Sequence, residues 1–286
     1  MSFLEREEYI EQAYLFRTLR ERIEQGMATQ DLLASIREEI LSTTKLPMAV
    51  DFLSAELRHR GGFAAGMQKL SHYFTPFQAF VVAEAEAERG KFDLLLALEI
   101  LQREAGYRAD SPPPQGIFLF EFESISRNRL GYDRGLQAVA DDPMFDGGWR
   151  EWILTVRRQI GLVDFAEMIY VRSQHYVQQQ LRFDLEPPGA DKAILFGEKE
   201  GKIALANRRK DPLLLFAALH RQLGYPEVPR QRRVDETPQI LPQLLRRMER
   251  VEARLKLAEE EQKGGIDLTR FYGHQVPPAE YDLGEE

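Results

Sequence analysis

The chain has 286 residues, a net charge of −8 and no cysteine. The missing thiol excludes a disulfide framework, a cysteine nucleophile, cysteine-ligated zinc and iron–sulfur clusters, and it fits a reducing compartment. With 43% hydrophobic residues the chain can bury a large core, and its acidic balance argues against a general affinity for nucleic acid.

The first residues, MSFLEREE, lack a basic stretch followed by an apolar one, so they do not read as a secretory signal. The longest apolar stretches, 77–83 and 213–219, are far too short to span a bilayer. The expectation is a cytoplasmic chain with no transmembrane segment.

Helical periodicity dominates from the start. Tyr9, Ala13, Phe16, Leu19 and Ile23 recur at spacings of 4, 3, 3 and 4 and share one helical face. Ser2 with Glu5 has capping-box spacing, and Gly26 ends the helix. Thr29 is placed to cap a second helix carrying Leu32, Leu33, Ile36 and Ile40. Pro47 suits the first turn of a third, whose apolar load is Met48, Phe52, Leu53 and Leu57.

Thr75, Pro76 and Gln78 make a strong helix start, with Thr75 as cap, Pro76 at the first position and Gln78 closing the box. A further helix follows over 92–105. Pro112, Pro113 and Pro114 favour an extended spacer and mark the best internal boundary. The run 117–122 reads equally as a strand, from its alternating Phe118, Phe120 and Phe122, or as a buried helix. Helical patterns resume over 149–160 and 163–180, and Asp211 with Pro212 opens another helix that Gly224 closes.

The fold class expected is all-α. A helical lobe over 1–110 is followed by a second over 115–225, which can belong to the same domain, then by a linker over 226–238. A coiled-coil helix covers 239–263 and a tail 264–286. In that helix Leu241, Leu244, Met248, Val251, Leu255 and Ala258 are spaced 3, 4, 3, 4 and 3, the a/d seam of a heptad repeat. Arg247 and Arg254 fall at g, and Glu252 and Glu259 at the e positions five residues later, so a parallel pair opposes arginine to glutamate at both. Three heptads are marginal for an isolated dimer, and the stripe fits either self-association or packing on the protein's own body. In the tail, Phe271, Tyr272, His274 and Tyr281 read as a docking peptide or a frayed end.

Few residues suggest chemistry. Residues 197–203 resemble a phosphate loop, but the spacing is one residue short and Ile203 stands where a hydroxyl should bind magnesium; a turn into a helix is the better reading. Glu56 and His59 form one Glu-x-x-His pair. With Glu84 and Glu99 on the apolar arcs of neighbouring helices, they are the only candidates for a carboxylate-bridged di-metal site of the ferritin-like kind. Between 196 and 233, nine Lys or Arg against four acids leave a local balance of +5, a candidate contact for RNA or an anionic membrane surface.

The segments 72–80 (HYFTPFQAF) and 195–203 (LFGEKEGKI) resemble those of an uncharacterised bacterial helical protein family with no assigned activity. That resemblance implies a bacterial, cytosolic helical protein and no catalytic residue. The leading expectation is a non-enzymatic interaction or scaffold protein without a cofactor. It would oligomerise or dock a protein partner through Leu244, Met248, Val251, Leu255 and Ala258, with register set by Arg247, Glu252, Arg254 and Glu259.

Overall fold

The computed structural model describes residues 4–27, 29–87, 92–182, 192–230, 247–248, 250–252 and 254–255. The chain divides into two compact units, Met1–Gln231 and Arg232–Glu286. The described residues of the first unit form thirteen helices, with no extended structure beyond two isolated bridges, and the all-α expectation holds.

α1 (Arg6–Glu24) and α6 (Leu94–Ala109) lie along one another and make the most extensive helix pair. Glu5, expected behind a capping Ser2, is itself the N-cap of α1 and makes no side-chain cap bond; Ser2 lies outside the described residues. α2 (Thr29–Glu39) begins at Thr29, and Leu32, Leu33, Ile36 and Ile40 are buried as the periodicity requires. α3 (Leu46–Arg60) carries Pro47 in its first turn, but Met48 is 69% exposed, and Leu46, Ala49 and Val50 fill the core in its place. The misreading is one of phase: Met48 lies about 100° from Ala49 around the helix, off the buried face.

α4 (Ala64–Lys69) leads into α5 (Pro76–Glu86), whose capping box is complete. Thr75 Oγ1 accepts from Gln78 N and Gln78 Oε1 from Thr75 N, both at 3.2 Å. Pro112 and Pro113 form the lead-in to α7 (Pro114–Arg127), with Pro114 in its first turn, inside a single compact unit. The ambiguous run is therefore helix. Every residue from Gly116 to Ile125 is buried, which erases the amphipathic signature that would have revealed it.

Around α7 stand α8 (Tyr132–Ala140), α9 (Gly147–Gln159), α10 (Phe165–Tyr170) and α13 (Pro212–Leu223). The expected helix over 163–180 is two, α10 and α11 (Gln174–Arg182), broken at residues 171–173. Leu195 N and Phe196 N donate to Arg172 O at that break, and Gln174 N donates to Phe196 O at 2.9 Å. α12 (Glu198–Asn207) starts from Gly197 as a plain turn into a helix, as expected. Its Gly201 is required by close approach: a Cβ there would lie 2.2 Å from Ser173 Oγ and 2.7 Å from His175 Cβ.

An aromatic cluster fills the space between α7, α9, α10 and α13. Phe122 stacks on Phe165 at 4.2 Å between centroids, Phe118 meets Trp152 edge-on at 4.8 Å, and Phe196 sits on Trp152 at 5.1 Å. Phe216 of α13 closes the cluster against Phe122 and Phe165. The start of the expected linker also packs down. Val228 and Pro229 are buried, Arg103 donates to Glu227 O at 3.0 Å and Asn128 to Pro229 O at 3.1 Å. No helix among the described residues is long and apolar enough to cross a membrane.

Phe118 is the ring most surrounded by other rings, so Phe118→Ala is expected to cost about 3–5 kcal/mol in urea unfolding. Met48→Ala at the exposed position is expected to stay within about 0.5 kcal/mol.

Candidate functional site

The least expected feature is a polar core. Arg108 of α6 is 5% exposed, and three carboxylates surround its guanidinium. Its Nε donates to Glu104 Oε1, one turn earlier on the same helix. Its Nη2 donates to Glu121 Oε1 of α7 at 2.9 Å and to Asp142 Oδ2, in the turn after α8, at 2.5 Å. The network continues through amides: Gln78 of α5 donates to Glu104 Oε2 at 2.7 Å and to Gln12 Oε1 at 3.1 Å, and Gln12 of α1 donates to Tyr73 O at 3.1 Å. Tyr73 Oη in turn donates to Glu8 Oε2 at 2.8 Å.

Three carboxylates against one cation cannot all ionise cheaply in a dry site. Burial drives the Glu121 carboxyl well above its usual range. The Arg108 charge works against that rise, while Asp142 and Glu104 reinforce it. The second oxygen of Glu121 has no hydrogen-bond partner among the described residues. Burial also works against the charge of Arg108, but Glu104, Asp142 and Glu121 more than offset it and keep it protonated. A recess of about 270 Å³ opens beside this group, lined by Leu4, Arg6, Tyr9, Ser111, Pro112 and Met144. Most of the guanidinium is already committed to carboxylates, so the arrangement is built to hold helices together.

A second buried carboxylate, Glu123 of α7, accepts from Arg127 Nε and from His220 Nε2, the latter at 2.7 Å. It fastens α13 to the central helix. His220 thus has a structural place. His175 Nε2 lies 3.2 Å from the Gln179 amide nitrogen.

The di-metal candidates are dispersed. Glu56 accepts from Lys69 Nζ at 2.7 Å, and His59 is exposed. Glu84 is held by Arg134 and by Gly131 N, the latter at 3.2 Å. Glu99 pairs with Arg103 at 2.8 Å and Arg20 at 3.3 Å. Each carboxylate faces a different cation, and among the described residues no three His, Asp or Glu side chains converge as a metal site requires. Shared apolar arcs on separate wheels do not make side chains meet, because the crossing of the helices decides that.

The expected seam is described in part. Residues 247–248, 250–252 and 254–255 are helical, and Met248, Val251 and Leu255 are 60%, 52% and 56% exposed. Arg247, Glu252 and Arg254 are exposed beside them. Leu241, Leu244, Ala258, Glu259 and the aromatic tail lie outside the described residues. Sequence reasoning missed Arg108, Glu121 and Asp142 entirely. The i, i+4 pair of Glu104 and Arg108 and the two glutamates within an apolar run were the available signals. No protein-family model matches the chain, and neither the curated proteins nor the solved structures offer a match.

The raised Glu121 group gives a pH signature. A folded-state pKa above the unfolded value of about 4.5 makes a contribution fully present below that value and lost as pH rises through the folded one. Glu121→Gln, which mimics the neutral acid, is expected to match the parent in urea unfolding near pH 4 and to gain on it steadily as pH rises. Parallel stability curves for the two chains contradict a neutral Glu121. Arg108→Met strands the carboxylates and is expected to cost roughly 3–5 kcal/mol at neutral pH.

Proposed function

We propose that this chain is a cytosolic, non-enzymatic interaction protein that associates through its C-terminal helix as a coiled coil. The observation that carries the reading is the apolar stripe. Met248, Val251 and Leu255 follow one another at spacings of 3 and 4 on helical backbone, and each is more than half exposed. Three such side chains held in water on a helix of marginal length are a standing cost. Each is already partly covered, so burying the remainder against another helix contributes roughly 1 kcal/mol apiece.

The flanking charges support a parallel arrangement. Arg247 at g meets Glu252 at e of a neighbouring copy, and Arg254 meets Glu259 in the same way. Polar rims of that kind choose partner and register more than they add affinity. The first unit then serves as the body that the helix brings to its partner.

The test is the solution mass. Multi-angle light scattering of the full chain is expected to give a multiple of the 33.1 kDa protomer, and a chain ending at Arg230 is expected to be monomeric. The double variant Val251→Asp with Leu255→Asp is expected to abolish association while leaving the helical circular dichroism of the body unchanged. A full chain that is monomeric at its own protomer mass, like the truncated chain and the double variant at theirs, defeats the proposal.

A further inference from the structure

We propose that the groove between α12 and α13 is a second docking site, one that takes an acidic amphipathic helix of a partner protein. α13 reads PLLLFAALHRQL and is apolar on all sides of its first two turns. Leu215, Phe216 and Leu219 form its inner face against the aromatic cluster. Its outer face is equally apolar but uncovered: Leu213 and Leu214 are 46% and 53% exposed, and Ala217 is exposed beside them. Two helical turns that are apolar all round belong in a core, so the bare face of these turns asks for a covering element.

The bare face is concave. Leu214, Ala217 and Ala218 of α13 face Ile203 and Ala206 of α12 across a groove of about 470 Å³. Small side chains on both walls let a third backbone come close, as helix-in-groove recognition requires. Among the described residues the cations of the groove are Lys202, Lys210 and Arg221, and no carboxylate lines it. Lys202 pairs with Glu198 one turn back, and Lys210 Nζ donates to Ala206 O at 2.6 Å, closing the end of α12. Arg221 makes no ion pair among the described residues and stands exposed at the far end.

Charge complementarity fixes the occupant. An apolar floor with basic walls fits a helix that carries leucines on one face and glutamates on its flanks. RNA fits it poorly, because among the described residues the groove presents no aromatic ring for base stacking and its floor is aliphatic. The site is separate from the C-terminal stripe and stands or falls independently of it.

The probe is a fluorescein-labelled synthetic helix of about 18 residues, with leucine at i, i+3, i+4 and i+7 and glutamate on both flanks. Its control is a scrambled peptide of identical composition. Fluorescence anisotropy with the full chain is expected to show saturable binding of the amphipathic peptide, weakening as salt is added, and binding of the scrambled one at least about tenfold weaker. Leu214→Asp, at an exposed position, and Arg221→Glu are each expected to lower affinity by about tenfold, with unfolding midpoints unchanged. Equal binding of the two peptides, or no response to either substitution, overturns the proposal. So does binding of a single-stranded RNA or an anionic phospholipid vesicle that the same substitutions abolish while the peptide does not bind.

Discussion

One guanidinium sets the terms on which the first unit assembles. Arg108 cannot be buried alone, because an unpaired cation in a dry interior costs several kcal/mol after every relaxation. It meets Glu104 on its own helix, Glu121 on α7 and Asp142 beyond α8, and those three groups come together in only one relative placing of the elements. Gln78 and Gln12 extend the constraint to α5 and α1. A slip of one turn in any of these helices strands a carboxylate without its donor, whereas a purely apolar interface tolerates such a slip at far smaller cost. Burial raises the Glu121 carboxyl well above its usual range, against the pull of the Arg108 charge, and this eases the excess of acid over base at the centre.

The aromatic cluster works from the other side of α7. Phe118 and Phe122 face Trp149, Trp152, Phe165 and Phe216, while Glu121 and Glu123 leave the same helix toward Arg108 and toward Arg127 with His220. At 100° per residue, four successive residues cover the whole circumference, so α7 is gripped on every side. Apolar burial supplies most of the driving force there, and the two glutamates choose the rotation of the helix about its own axis.

Legibility followed from periodicity and capping chemistry. The helix start at Thr75, the start at Asp211 and the buried stripe of α2 were readable because each depends on residues only three or four apart. α7 was not readable as a helix, since a segment buried all round carries no 3.6-residue rhythm. The break at residues 171–173 was hidden for a different reason: it is paid for by hydrogen bonds to Phe196 and Leu195, more than twenty residues along the chain. The polar core escaped for the same cause. Glu104 and Arg108 look like an ordinary exposed i, i+4 pair until Glu121 and Asp142 arrive from elsewhere. Glu56, Glu84 and Glu99 erred in the opposite direction, because facing inward on a wheel says nothing of which cation a neighbouring helix will bring.

What the fold itself requires can be separated from what it leaves over, and α13 shows how. Packing against Phe122 and Phe165 demands Phe216 with Leu215 and Leu219, and Gly224 with its left-handed backbone ends the helix where His220 has met Glu123. Those residues account for the inner face completely. Leu213, Leu214 and Ala217 satisfy none of these demands, and polar side chains at their positions would form the same helix at less cost in water. Met248, Val251 and Leu255 are likewise more than half exposed. Under the contacts proposed above, these are the apolar side chains that a partner covers.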